Sequence, residues 1–110
     1  MRTPDMTSRR DIAERFARHL KEKYGPRIDR ILLFGSVARG EDREDSDVDL
    51  LVVTPEPTLD LQWDIGRDVT DTLAREGLLV SALVVTAREW REARDTLFGR
   101  RVRTEGLALA

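Results

Sequence analysis

The chain has 110 residues and a mass of 12.6 kDa, room for one modest core and none for a catalytic domain beside a separate substrate domain. Its 19 basic and 21 acidic residues nearly cancel, leaving −2, so no whole-chain pull toward nucleic acid or an anionic membrane is expected. Cysteine is absent and His19 is the one histidine, which excludes disulfides and cysteine-held zinc and leaves carboxylates to hold any metal, favouring Mg2+, Mn2+ or Ca2+.

Residues 1–7 read as a frayed, polar start with no apolar signal region. Ser8 then caps a helix over 9–24, with Ile12, Phe16 and Leu20 four apart and Ala13 and Ala17 beside them. Gly25-Pro26 stops it. Residues 28–34 form a strand that turns apolar from Ile31, and Gly35 ends it. One helical turn over 36–39 is closed by Gly40, and 41–46 is a charged loop. A second strand, 48–53, is stopped by Pro55 and Pro57. The helix expected over 59–76 carries a stripe at Leu61, Ile65, Val69 and Leu73, and Gly77 caps it. Residues 78–85 read as a third strand buried on both faces. Thr86, with Glu89 three residues on, makes a capping box for a helix over 87–97. The remainder is a solvated or partner-facing tail, basic at Arg100, Arg101 and Arg103 and apolar over 107–109.

The implied fold is α/β (α+β): a mixed sheet of three or four strands with helices packed on one face, in one domain over 1–110. No apolar run approaches a membrane span, so a cytoplasmic protein is expected. All but Lys21 and Lys23 of the basic residues are arginine, a bias of GC-rich genomes or thermophiles. Trp63 and Trp90 read as packing or interface residues, and His19 as a surface residue. The arginines near the end lack aromatic interleaving, so direct nucleic-acid binding is not expected.

The stretch from Phe34 to Val53 carries the chemistry. Asp47 and Asp49 are two residues apart at the start of an otherwise apolar strand, which places both carboxylates on one face about 6.5–7 Å apart along the chain. Val48, Leu50 and Val52 then point into the core. Like charges so placed repel unless a cation sits between them, and oxygen ligands without histidine suit Mg2+. Gly35-Ser36, at a strand end where a helical turn begins, permits close approach of a phosphate. Arg39 lies one turn on and supplies positive charge. If the two strands are neighbours, these halves face one site, the equipment for a nucleoside triphosphate bound through Mg2+.

Gly35-Ser36, ten further residues, then Asp47-Val48-Asp49 resembles the signature of the DNA polymerase β-like nucleotidyltransferase superfamily. The longer pattern, Gly35-Ser36-Val37-Ala38-Arg39-Gly40 followed by Ser46-Asp47-Val48-Asp49-Leu50, is similar to its minimal (MNT) members, the antitoxins of HEPN–MNT toxin–antitoxin pairs. The resemblance implies that Gly35 and Ser36 hold the triphosphate, with Arg39 assisting, and that Asp47 and Asp49 ligate Mg2+. It implies transfer of AMP from ATP to a tyrosine hydroxyl of a helical HEPN partner, in a hetero-oligomer. The chain departs from the pattern at one place. Fully equipped members carry a third carboxylate on the strand after the long helix, and 78–85 contains no acid. Ser81 is its one polar residue and the occupant expected at the vacant position. Three functions follow from this: an AMP-transferring enzyme, a weak or inactive nucleotide-binding module that neutralises or scaffolds its partner by contact, and a transferase acting on an antibiotic with a helical partner subunit.

Overall fold

The computed structural model describes residues 8–55 and 59–110, so the frayed start and Pro57 lie outside the described residues. Helix α1 (Arg9–Tyr24) begins at a full capping box: the Ser8 hydroxyl accepts from the Asp11 N–H, and the Asp11 carboxylate accepts from the Ser8 N–H. It buries Ile12, Ala13, Phe16, Ala17 and Leu20, the expected stripe. A 3-10 turn (Gly25–Arg27) leads into β1 (Arg30–Phe34), and α2 (Gly35–Arg39) ends at Gly40 in the left-handed region. Strand β2 (Val48–Thr54), helix α3 (Leu59–Glu76) and strand β3 (Val80–Thr86) make a strand–helix–strand crossover.

The sheet order is β3-β2-β1-β4, where β4 is Leu107–Ala108. Strand β1 runs antiparallel to β2 and β4, and β2 runs parallel to β3, so the sheet is mixed as expected. Helices cover both of its faces, not one. Val48, Leu50 and Val52 meet α1 and α3, while Leu51 and Val53 pack with Leu32, Trp90 and Val102 beneath the two last helices. The reason is visible in β2, whose successive residues from Leu50 to Thr54 are all buried, so both sets of alternating side chains need a cover.

Three further expectations are corrected. Strand β3 is an edge strand, and Leu79, Ser81 and Leu83 on one of its faces are exposed. Uniform hydrophobicity reads as two-sided burial only when both edges and both faces find neighbours. The helix capped by Thr86 stops early as α4 (Ala87–Ala93), and Thr96 caps a new helix, α5 (Leu97–Glu105), by accepting from the Gly99 N–H. The break is tight: a Cβ on Gly99 would collide with the Ala93 carbonyl. The arginine-rich segment read as a tail is therefore α5, packed through Val102, and Leu107 and Ala108 extend the sheet.

Helix α3 spans the expected residues but buries a different line. Leu61, Ile65, Asp68 and Thr72 face inward, while Leu73 is 44% exposed. Steps of four advance about 40° per repeat beyond a full turn, so Leu73 has rotated about 120° from Leu61. Alternating steps of four and three hold position, which brings an aspartate to the interior. Asp68 is 5% exposed and accepts from the Tyr24 hydroxyl at 2.6 Å and the Lys23 ammonium at 2.9 Å, with His19 at 3.5 Å. Burial pushes its carboxyl up, but the bonds from Tyr24 and Lys23 and the charges of Lys23 and His19 together outweigh this and leave it below its usual value. A carboxyl depressed on folding stabilises above its unfolded pKa, and that stability is lost as pH falls through the folded value. Asp68→Asn should therefore cost about 1–3 kcal/mol at neutral pH and flatten the acid-side loss of stability. Urea melts across the acid range read both effects.

Candidate nucleotide and metal site

The site forms where β1 ends and β2 begins. Phe34 pairs with Asp49 across the antiparallel ladder, and Gly35 follows at once, so the turn and the aspartates lie side by side. Strand β3 completes the row, with Ser81 in parallel register with Asp49. The structure thus brings Gly35, Ser36, Asp47, Asp49 and Ser81 to one end of the sheet. Val48, between the two aspartates, is fully buried on the other face and donates its N–H to the Leu79 carbonyl at 3.0 Å. That alternation gives both carboxylates the same side.

Gly35 is fixed twice over. Its φ is +80°, a conformation that L side chains rarely adopt. A Cβ there would also overlap the Asp49 Oδ2 and lie 3.3 Å from its Cγ. Backbone and carboxylate are therefore in direct contact, which leaves a narrow cradle that any side chain would fill. Gly35→Ala should cost at least about 1–2 kcal/mol and displace the Asp49 carboxylate. Chemical denaturation checks the first, and a crystal structure of the variant the second. The Ser36 hydroxyl is half-buried, and no protein partner bonds it among the described residues.

The electrostatics of Asp49 follow from its place. Burial pushes its carboxyl up, the charge of Asp47 pushes it further, and Arg39 pulls it back. Neither aspartate accepts a hydrogen bond or an ion pair among the described residues. Two crowded, unpartnered carboxylates beside a glycine cradle are a donor set that fits a hard divalent cation with phosphate oxygens filling its other positions. No group of three or more metal-ligating side chains forms among the described residues.

Arg39 is the predicted residue least free to reach a phosphate. Its guanidinium donates to Glu41 at 2.9 Å and to Glu105 of α5 at 3.1 Å. The structure also adds residues that no sequence pattern singles out. Arg9 of α1 donates to the Ser46 carbonyl at 2.9 Å and to the Glu44 carbonyl, and stands 3.7 Å from Asp42. It pins the charged loop that delivers Asp47. Phe98 of α5 packs edge-on against Phe34 with ring centres 5.5 Å apart. Arg9 sits 37 residues from Ser46, and only the tertiary fold joins them. Trp90 is buried packing, and Trp63 is exposed on α3.

Residues 13–103 match the family model of the nucleotidyltransferase domain. A Methanocaldococcus jannaschii protein, described provisionally as a protein adenylyltransferase, is 37% identical over 95 residues, covering 86% of this chain and 90% of its own. Among solved structures, a toxin–antitoxin crystal structure with AMP-PNP superposes with a TM-score of 0.63 at 22% identity, covering 88% of this chain and 72% of the other. A Shewanella oneidensis complex of a tri-AMPylated HEPN toxin with its MNT antitoxin gives 0.53 at 19% identity, covering 90% and 70%. At those identities the two structures speak for the fold.

Proposed function

The chain belongs to the nucleotidyltransferase domain family, and from that premise we propose that it binds Mg2+-ATP at Gly35, Ser36, Asp47 and Asp49 and transfers AMP to a tyrosine hydroxyl of a HEPN-type partner. The carrying observation is the contact between the Gly35 backbone and the Asp49 carboxylate, which joins the phosphate cradle to the metal ligands in one site. Support also comes from the relative described as a protein adenylyltransferase and from the neighbours, a toxin–antitoxin structure with AMP-PNP and an AMPylated toxin with its antitoxin.

The acceptor oxygen attacks the α-phosphorus, the α–β anhydride bond breaks, and pyrophosphate leaves. When bound, Mg2+ neutralises charge on the attacking and leaving oxygens. Gly35 lets the triphosphate approach the main chain, and Asp47 and Asp49 fix its position relative to the sheet. The acceptor must also lose a proton. An aspartate on β3 would take it, whereas the Ser81 hydroxyl is too weak a base at neutral pH, so the base comes from the partner.

That absence favours a second reading, in which the chain holds nucleotide and neutralises its partner by contact. One experiment separates them. ATP labelled at the α-phosphate is incubated with the chain and its partner, with Mg2+ or with chelator. Label on the partner's tyrosine that needs Mg2+ is the expected result, and an unlabelled but stable complex assigns the second reading. On a test hydroxyl offered without the partner, Ser81→Asp should raise transfer by about 10²-fold or more by supplying a base. Rapid transfer by the native chain to a test hydroxyl without any partner overturns the role given to the vacancy at Ser81.

A further inference from the structure

A second feature lies at the other end of the same sheet face. Arg30 pairs with Val53, four residues from the Phe34–Asp49 pair, which places it about 13 Å along the strands. There a hollow of about 530 Å³ opens between the sheet, α4 and α5. Its floor is apolar: Leu32, Val53, Val102 and Trp90. Its rim carries Arg30, Arg91, Arg94 and Arg103, against one acid, Asp29. Arg103 is partly neutralised by Asp95 at 3.3 Å. Arg30, Arg91 and Arg94 form no ion pair among the described residues. Three uncompensated guanidiniums on one concavity repel one another and favour an anion between them.

We propose that this hollow binds a small molecule bearing a phosphate or like anion on a flat apolar body, of mononucleotide size. The guanidiniums match phosphate oxygens in paired hydrogen bonds, and the floor takes the body. The volume lies in the range of small-ligand sites. This site needs neither Mg2+ nor transfer, so it stands or falls apart from the function proposed above.

Trp90 gives the readout. Trp63 is exposed on α3, and Trp63→Phe makes Trp90 the sole tryptophan of the full chain. AMP, titrated with chelator present, should change its fluorescence saturably, and adenosine should bind at least tenfold more weakly. The pair Arg91→Glu and Arg94→Glu should weaken AMP at least tenfold. The milder Arg91→Gln and Arg94→Gln should act in the same direction, which guards against a folding defect. Asp49→Asn should leave the titration unchanged. Equal binding of AMP and adenosine overturns the proposal, as does a response lost in Asp49→Asn and kept in the arginine variants. Short oligoadenylate binding at least tenfold tighter than AMP overturns it too, by assigning the hollow to a strand.

Discussion

On the proposed function, Asp49→Asn should lower AMP transfer by about 10³-fold, because a cation's stabilisation of transition-state charge amounts to several kcal/mol and the substitution removes the carboxylate charge packed against Gly35. The same substitution should make the protein without metal more stable. The native Asp49 carboxyl is raised by burial and by Asp47, against the pull of Arg39. A carboxyl raised on folding holds its proton more tightly in the folded state, so stability falls as pH rises from the unfolded pKa through the folded one. Above that window the charge costs stability, and asparagine relieves the cost. Thermal melts of Asp49→Asn should lie above the native chain at neutral pH, and the two should converge below the usual aspartate range. Added Mg2+ with ATP should reverse the order at neutral pH by stabilising the native chain alone. Equal Mg2+-dependent ATP affinity in both proteins would remove Asp49 from the site.

Ile65→Asp should abolish folding, and Leu73→Asp should barely be felt. Ile65 is 1% exposed in the main core, and an unpaired charge there costs more than about 4 kcal/mol, most of the stability of a domain this small. Leu73 lies on the outer side of α3, where surface changes stay within about 0.5 kcal/mol. Circular dichroism and urea titration of the two variants check the pair. A stripe of four equal leucine-like positions would make them equivalent, and the helix turn makes them differ.

That contrast marks what a linear reading reaches. Caps are local: Ser8, and Thr86 with Glu89, name their helix starts within four residues, and both helices begin there, with Asp11 completing the box at Ser8. The Gly35–Ser36 to Asp47–Asp49 spacing is local enough to be read as well, and the strands it joins are neighbours. Asp68 is hidden because a charged residue beside Val69 on a helix reads as surface, and its partners Tyr24 and Lys23 lie more than 40 residues away. Arg9 is hidden for the same reason. The cover of the second sheet face is not legible because α5 reads as a tail. Its pattern carries few large apolar residues, and Val102 alone anchors it in the described core.

The edge position of β3 bears on how the chain behaves at high concentration. From Val80 to Thr86 the strand has no charge and no proline, and one row of its peptide groups has no neighbouring strand among the described residues. Sheet edges are usually guarded by an inward charge, a lysine or a proline, since an open edge templates the next chain. An aspartate at position 81 would be such a guard. With serine there, an uninterrupted seven-residue segment suited to cross-β stacking remains. A single carboxylate at this position would interrupt that segment, and Ser81→Asp therefore tests solubility at high concentration as well as the proposed transfer.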